Sequence, residues 1–279
     1  IVRVYQYNGT DTWNQIGQDI HGEESEDQFG YSVAISGDGT IVASGAIHHE
    51  NPNATWGPTG AGQVRTYQYN GTDTWNQIGY EIEGVARYDY TGTSVSLNID
   101  GSILAIGSTG DGNGNAAVYQ YSSGWTQIGD IFGEGNDQFG QSISLSSDGT
   151  IVAAGSTINS GNGNLAGHVR VYQYNGSTWT QMGDDIDGSG GLGYFVSLSS
   201  DGTVLAAGSI THNSNAGCVR IYQFIDSAWT QIGATIAGDN SNDKFGYTVS
   251  LSSDGSRVAV GAYGDQHASV YETGVIISS

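Results

Sequence analysis

The chain has 279 residues, among them 45 glycines and 17 tyrosines, with only 7 lysines and arginines against 28 aspartates and glutamates. A formal net charge of −21 argues against binding to nucleic acid or to an anionic membrane surface, because both depend on basic side chains. No apolar run approaches the roughly 18 residues that span a bilayer, so direct membrane insertion is not expected. The single cysteine, Cys218, has no partner for an internal disulfide.

A repeated pattern begins with the first residues. The segment Val2–Gly9 returns as Val64–Gly71 and Val169–Gly176, and in altered form from Ala117 and from Val219. After each copy comes a Trp-x-Gln-(Ile/Met)-Gly segment, which starts at Trp13, Trp75, Trp125, Trp179 and Trp229. Repeats of about 50 residues are typical of β-propellers.

A second block completes each unit, and the first example runs from Phe29 to Ala46. Its alternation of small polar with branched apolar residues up to Ile35 predicts a strand. The pair Asp38-Gly39 predicts a tight hairpin turn, since such turns favour residues that tolerate positive φ. Ile41–Ala46 has no polar face and predicts a strand buried on both sides. The Val2-type and Trp-type segments add two further strands, joined at an Asn-Gly turn.

Each unit therefore predicts four strands, and the chain is expected to be an all-β, five-bladed β-propeller of four-stranded blades. We expect one domain over 1–279, with repeats of about 2–63, 64–116, 117–168, 169–218 and 219–279. The chain starts with two outer strands and ends after Ser269-Val270-Tyr271, which is similar to a third strand. Completion of the last blade by N-terminal strands would remove its open edge, but one outer strand is then surplus. Either that strand lies on the outside, or the chain is a segment of a larger repeat protein.

The last unit, Phe245–Leu251 with Val258–Ala262 and Ser269–Tyr271, resembles the FG-GAP repeat of integrin α-subunit propellers and related surface proteins. The resemblance covers nearly the whole chain, although Thr91-Gly92 and Leu192-Gly193 depart from the Phe-Gly pair. It implies an extracellular or cell-surface propeller that serves adhesion or ligand binding without catalysis. Integrin-type repeats often carry a calcium loop between the first two strands. The Ser-x-Asp-Gly found there is too short to supply about six to eight oxygen ligands, so no metal site is transferred.

The loops between second and third strands and those between blades share one face of a propeller, here called the variable-loop face. Most acidic residues fall in these loops, so we expect a protein or a glycan to bind there, although acidic side chains also serve solubility alone. The longest loop, Ile47–Gln63, holds the candidate ligand-binding residues His48, His49, Glu50 and Trp56. Neighbouring side chains on an extended segment point opposite ways, so one metal ion bound by both histidines is not expected. The indole of Trp56 either stacks on a ligand or packs on the propeller rim.

Two further motifs occur in predicted loops. The start of a calcium-binding loop is matched by Asp111, Asn113 and Asn115, but the closing glutamate is missing, so calcium stays a weak candidate cofactor. Glycosylation sequons, relevant only to a eukaryotic secretory protein, begin at Asn8, Asn53, Asn70 and Asn175.

Arginine recurs at one repeat position, which is occupied by Arg3, Arg65, Arg170 and Arg220 and is filled by Ala117 in one unit. An arginine repeated on an outer strand predicts an ion pair with a carboxylate of its own or the adjacent blade.

Catalysis is not expected, because the six histidines are scattered and none recurs beside a Ser or Cys nucleophile. The sequence favours a non-catalytic secreted or surface propeller that serves adhesion, scaffolding or assembly, including self-assembly. The alternative is a lectin-like propeller that binds glycans through loops between blades.

Overall fold

The computed structural model describes residues 1–110, 112–134, 137–158 and 165–275. Apart from a helical turn at His212–Asn215, its regular structure consists of antiparallel strands that form five blades around a central channel. The predicted all-β propeller is thereby confirmed. Within the described ranges no helix has the length and apolar character to cross a bilayer.

Blades one to three follow one another in chain order, and each runs from the axis outward. Blade one comprises β3 (Ser32–Ile35), β4 (Ile41–Ala46), β5 (Gln63–Tyr69), β6 (Trp75–Gln77) and β7 (Ile82–Glu83). Blade two comprises β8 (Ser94–Leu97), β9 (Ile103–Ser108), β10 (Asn115–Tyr121) and β11 (Trp125–Phe132). Blade three comprises β12 (Ser142–Leu145), β13 (Ile151–Ser156), β14 (His168–Tyr174), β15 (Trp179–Gln181) and β16 (Ile186–Asp187).

The remaining strands form blade four, a three-stranded blade five and a separate N-terminal pair. Blade four comprises β17 (Leu192–Leu198), β18 (Val204–Ser209), β19 (Cys218–Ile225) and β20 (Ala228–Ala237). Blade five comprises β21 (Phe245–Leu251), β22 (Arg257–Ala262) and β23 (His267–Glu272). The N-terminal pair, called the half-blade below, comprises β1 (Tyr5–Tyr7) and β2 (Trp13–Gln15).

The second strands of blades one, three and four are buried on both faces, as their apolar sequences predict. All residues of β4, β13 and β18 are buried. The second strands of blades one to four also carry a glycine against a glycine of the next blade, and an added Cβ would meet the carbonyl oxygen of that neighbour. Close approach of the two backbones therefore requires the hydrogen side chain. The pairs are Gly45–Gly92, Gly107–Gly140, Gly155–Gly193 and Gly208–Gly246.

Tryptophans of the fourth strands join neighbouring blades at the outer rim. The indole Nε1 of Trp125 donates to the Thr66 hydroxyl at 2.7 Å, and that of Trp229 donates to the Met182 carbonyl at 2.9 Å. Trp75 donates in the same way to the carbonyl of Ile16 at 2.9 Å. These three indoles thus donate their one polar group to the preceding blade or to the half-blade segment, whereas the buried Nε1 of Trp179 has no hydrogen-bond partner.

The half-blade packs on blade one and does not complete blade five. Val2 and Val4 of the half-blade segment join the core formed by Val42 and Tyr67. The third strand of blade five is β23, which pairs in register with β22. Completion of the last blade by the N-terminal strands is therefore not observed, because the Ser269–Tyr271 segment occupies the edge that they would need.

The face of blade five that points away from blade four is uncovered. Val270 is 68% exposed, whereas Val171, at the same repeat position in blade three, is 1% exposed beneath blade four. In the turn after each innermost strand of blades one to four, one backbone N–H donates to a carbonyl of the corresponding turn in the next blade. The series begins with Gly37 donating to Ile99 in blade two and ends with Ser200 donating to Ser253 in blade five. Among the described residues no bond of this series returns from Ser253 to Gly37.

The Asp-Gly turns lie on the face opposite the variable loops. Asp254 accepts hydrogen bonds from the Ser252 hydroxyl at 2.6 Å and from the backbone N–H of Ser256 at 3.0 Å. These donors, with the Ser252 hydroxyl the strongest, lower the pKa of Asp254 from 3.8 to about 2. The same serine, aspartate and backbone arrangement lowers the pKa of Asp38.

These lowered pKa values predict acid sensitivity. A carboxyl whose pKa is lower in the folded state adds stability above its unfolded pKa, and this contribution is lost as the pH falls through the folded pKa. The stability advantage of the wild type over Asp254→Asn should therefore be full at neutral pH and shrink between about pH 4 and about pH 2. Urea unfolding of both proteins across this range tests it, and an unchanged difference at pH 2 would contradict the assignment.

Candidate functional site

Buried aspartates fix the loops of the variable-loop face. Each lies two residues before the phenylalanine of the Phe-Gly pair or its equivalent. Asp27 accepts a hydrogen bond from the N–H of Glu24 at 3.3 Å, and Asp137 accepts one from the N–H of Glu134 at 3.1 Å. Asp89 and Asp243 do the same in blades two and five. Part of the acidity of this face is therefore structural. The sequence signal, Asp-x-(Phe/Thr)-Gly, was present but was not assigned this role.

The repeated arginine joins this network in blade three. Arg170 is 7% exposed at its side chain, and its guanidinium lies 2.9 Å from Asp185 and 3.2 Å from Glu134. It also lies over the ring of Phe139, at 6.0 Å from the centroid. Burial is the largest single influence and opposes the charge of this guanidinium, but the hydrogen bond to Asp185 and the charge of that carboxylate, with smaller contributions from Tyr172 and Glu134, together raise the pKa of Arg170.

Arginine has comparable partners in other repeats, as its recurrence predicts. Arg65 is similarly enclosed and pairs with Glu23 at 3.0 Å, while Arg3 makes a more exposed pair with Asp19 at 2.8 Å. Arg220 donates instead to the Ser189 hydroxyl at 3.2 Å.

Two groups of side chains near these arginines have the composition of a metal site. In blade three, His168, Asp185 and Asp187 offer ligand atoms within 4.8 Å of one another. The His168 ring is fully buried, neither nitrogen has a hydrogen-bond partner, and burial, followed by the charge of Arg170, lowers its pKa.

In blade one, the corresponding group consists of Glu23, Asp27 and His49. A guanidinium already neutralises one carboxylate in each group, and its charge opposes a cation there.

Blade two departs from this arrangement at three positions. Ala117 replaces the arginine, Thr91 replaces the phenylalanine beneath it, and Val85 stands where Glu23 and Glu134 supply carboxylates. All three replacements line a pocket of about 480 Å³ on the variable-loop face, between the outer strands of blades one and two. This pocket is called the blade-two pocket.

The carboxylate that would pair with the missing arginine is retained. Asp130 lies directly across the ladder from Ala117, and its carboxylate accepts a hydrogen bond from the side-chain amide of Asn115 at 2.7 Å. It lines the blade-two pocket together with Glu83 of blade one and Asp89. Tyr119 forms part of the wall, and burial, helped by the nearby Asp130, raises its pKa to about 12, so the phenol stays neutral. The pocket thus combines negative charge with two aromatic rings, Tyr119 and Phe132.

The predicted ligand-binding residues of the Ile47–Gln63 loop separate in space. The His48 ring lies 6.0 Å from that of Tyr90, whereas His49 Nδ1 lies 3.2 Å from the Asp27 carboxylate and Nε2 lies 3.5 Å from Glu83. Glu50 is exposed. The two histidines therefore diverge, and a turn closed by the bond from the His49 N–H to the Ala46 carbonyl lies between them and β4. Trp56 is 80% exposed, and its role in ligand binding stays a prediction.

The weak calcium candidates fall partly outside the described residues. Asp111 is not described, and Asn113 and Asn115 line the blade-two pocket, where Asn115 donates to Asp130. Among the sequon residues, Asn70 accepts hydrogen bonds at its side-chain oxygen from the N–H groups of Thr72 and Thr74. Such bonds hold the turn between third and fourth strands. The same turn geometry involves Asn8 and Asn175, while Asn53 lies exposed in the long loop.

Comparison with known families and structures agrees with this architecture. Residues 229–274, which contain β20 to β23, match the family model of the FG-GAP repeat. This segment is similar to an FG-GAP repeat. The predicted resemblance is thereby confirmed for residues 229–274. A search of curated proteins gives no significant match.

Solved structures share the propeller. The structure of a periplasmic gluconolactonase from Pseudomonas aeruginosa superposes with a TM-score of 0.65 over 97% of this chain and 74% of that chain. Sequence identity is 16%, so the likeness shows the fold alone. The propeller is a scaffold on which unrelated functions occur, and function has to be argued from the site.

Proposed function

We propose that this protein is a non-catalytic adhesion or assembly propeller that acts outside the cytoplasm and binds an arginine side chain of a partner protein in the blade-two pocket. The observation that carries this proposal is the combination of Ala117 with the retained Asp130. The chain's own arginines are held in blades one and three, whereas blade two keeps the acid and leaves the space open.

The chemistry of the pocket favours a planar cation. A guanidinium forms short, directional hydrogen bonds to carboxylates and stacks on aromatic rings. Both contacts are present intramolecularly at Arg170, with Asp185 and with Phe139. The blade-two pocket supplies carboxylates at Asp130 and Glu83. The net charge of −21 would also attract a basic partner over longer distances and accelerate encounter at low salt.

The non-catalytic part of the proposal rests on the pocket lining. The described lining residues include neither histidine nor cysteine, and its Ser108 hydroxyl hydrogen-bonds to Thr91. The described lining therefore offers no nucleophile–base pair built on histidine or cysteine. Hydrolysis of gluconolactone above the uncatalysed rate would contradict this part of the proposal.

Calorimetric titration with Nα-acetyl-arginine amide tests the binding function, with Nα-acetyl-citrulline amide as the neutral isostere. We expect the arginine probe to bind, and the citrulline probe to bind about tenfold more weakly or less, because charge-assisted hydrogen bonds contribute on this order. Asp130→Asn should weaken arginine binding by a similar factor, since it removes the retained carboxylate charge.

Ala117→Arg provides the sharpest variant, because it restores the residue found at Arg65 and Arg170 and fills the pocket from within. We expect it to fold and to lose the arginine probe. Ala228→Arg adds the same charge at an exposed position of blade four and should bind normally. Equal affinity for arginine and citrulline, or undiminished binding to Ala117→Arg, would refute the proposal.

A further inference from the structure

The central channel has a tyrosine-rich mouth. The five innermost strands each place one side chain there, directly after the Phe-Gly pair or its equivalent. These residues are Tyr31, Thr93, Gln141, Tyr194 and Tyr247, and all of them line a channel of about 850 Å³. A concave site of this size with aromatic walls and a few polar groups is typical of small-ligand sites.

The rings of the mouth continue outward as a row. Tyr194 and Tyr247 have ring centroids 5.2 Å apart, and Tyr247 stacks on Tyr263 at 5.0 Å with an interplanar angle of 26°. At the outer end, the ammonium of Lys244 lies 5.5 Å from the centroid of Tyr263. Tyr31, across the mouth, is 53% exposed. The row and Tyr31 thus offer apolar ring surface to a ligand, while the hydroxyls of Tyr194 and Tyr247 hydrogen-bond to each other.

The channel lining carries no side chain that is charged at neutral pH. The described lining consists of aromatic, aliphatic, hydroxyl and amide residues, without aspartate, glutamate, lysine, arginine or histidine. This is unusual for a chain with 28 carboxylates, and it contrasts with the blade-two pocket. A charged ligand inside the channel would lose hydration without gaining a counter-charge from the lining, because the ammonium of Lys244 lies outside it, at Tyr263. A purely apolar ligand would leave the hydroxyl and amide groups unsatisfied.

We infer that the mouth of the central channel binds a neutral oligosaccharide. Sugar rings present apolar C–H faces that suit the exposed faces of Tyr31 and Tyr263, and their hydroxyls match the polar groups of the lining. This site is distinct from the blade-two pocket, in its residues and in the charge of its ligand.

Titration with cellotriose, maltotriose and N,N′,N″-triacetylchitotriose, followed by calorimetry and by tyrosine fluorescence, tests the inference. At least one of the three sugars should bind. Tyr247→Ala and Tyr31→Ala should each weaken that sugar about tenfold, in line with the loss of an aromatic contact. Tyr247→Phe keeps the ring and should stay within about threefold of the wild type.

Matched control variants distinguish sugar binding at this site from non-specific binding and from binding in the blade-two pocket. Tyr80→Ala removes an 89% exposed tyrosine of the outer rim and should leave sugar binding unchanged, as should Ala117→Arg. Tyr31 is exposed enough that its alanine variant should keep the wild-type melting temperature. Binding of none of the three sugars, equal loss in Tyr80→Ala, or tighter binding of a charged trigalacturonate would overturn the inference.

Discussion

Replacing Gly155 by alanine should lower the free energy of unfolding by about 3 kcal/mol, the upper range for overpacking a close contact. The new Cβ would meet the carbonyl oxygen of Gly193 in the next blade, and it would lie 2.8 Å from the hydroxyl of Ser142. A backbone carbonyl cannot rotate away as a side chain can, so blades three and four would have to separate. Urea unfolding monitored by tryptophan fluorescence measures the loss.

Gly261→Ala is the matched control, since Gly261 holds the same position in blade five. Its added Cβ would approach only the side chain of Thr248 in its own blade, because no further blade covers this face. Alanine generally stabilises a strand relative to glycine by about 0.5 kcal/mol or more. The expected change is therefore near zero or slightly favourable. Equal destabilisation by both substitutions would show that intrinsic strand preference, and not the contact between blades, decides the effect.

Much of the propeller could be predicted, because its determinants are local. The Asp38-Gly39 turn, the buried run Ile41–Ala46 and the tryptophan strands each specify one element, and repetition specifies the ring. Strand closure could not be predicted in the same way, because β1 and β23 carry similar third-strand patterns and compete for the edge of β22. Tertiary contacts decide the outcome: the half-blade is held on blade one by Val2 and by the bond from Trp75 to Ile16.

The candidate sites were less accessible from sequence. Ala117 was evident as an exception among the arginines, but the pocket also needs Val85 and Thr91, which are distant in the chain and meet only in the folded blades. His49 was a candidate ligand because of its neighbours His48 and Glu50. Its actual contacts, Asp27 and Glu83, come from other segments, and nothing in the local pattern specifies them. An alignment of the five repeats that included their loops would have shown that Val85, Thr91 and Ala117 are all exceptions in the same blade, and this is the signal for the pocket.

Removing the arginine of blade three should reproduce one feature of blade two, a carboxylate beside an open space. Arg170→Ala should lower the free energy of unfolding by about 2 kcal/mol, because it leaves the part-buried Asp185 without its cation. The second partner, Glu134, is exposed, so solvent screens its charge and loss of that pair adds little. Arg3→Ala is the comparison, since the Arg3–Asp19 pair is exposed and half of the arginine side chain faces solvent. Its effect should be much smaller. Thermal and urea unfolding at low salt measure both.

A small guanidinium compound added to the solution should then restore part of the stability that Arg170→Ala loses. If the arginine site is defined by the carboxylate and the open space, millimolar methylguanidinium should stabilise Arg170→Ala by occupying the vacated site, since a ligand that binds only the folded state raises its stability. The wild type, whose site is filled, should gain less, and methylurea, a neutral analogue, should rescue neither. Rescue by methylguanidinium but not by methylammonium would show that the planar fork, in addition to the charge, is recognised. Equal responses of wild type and variant would mean that Asp185 and its surroundings do not form a guanidinium site, and the analogy on which the blade-two pocket is assigned would fail with it.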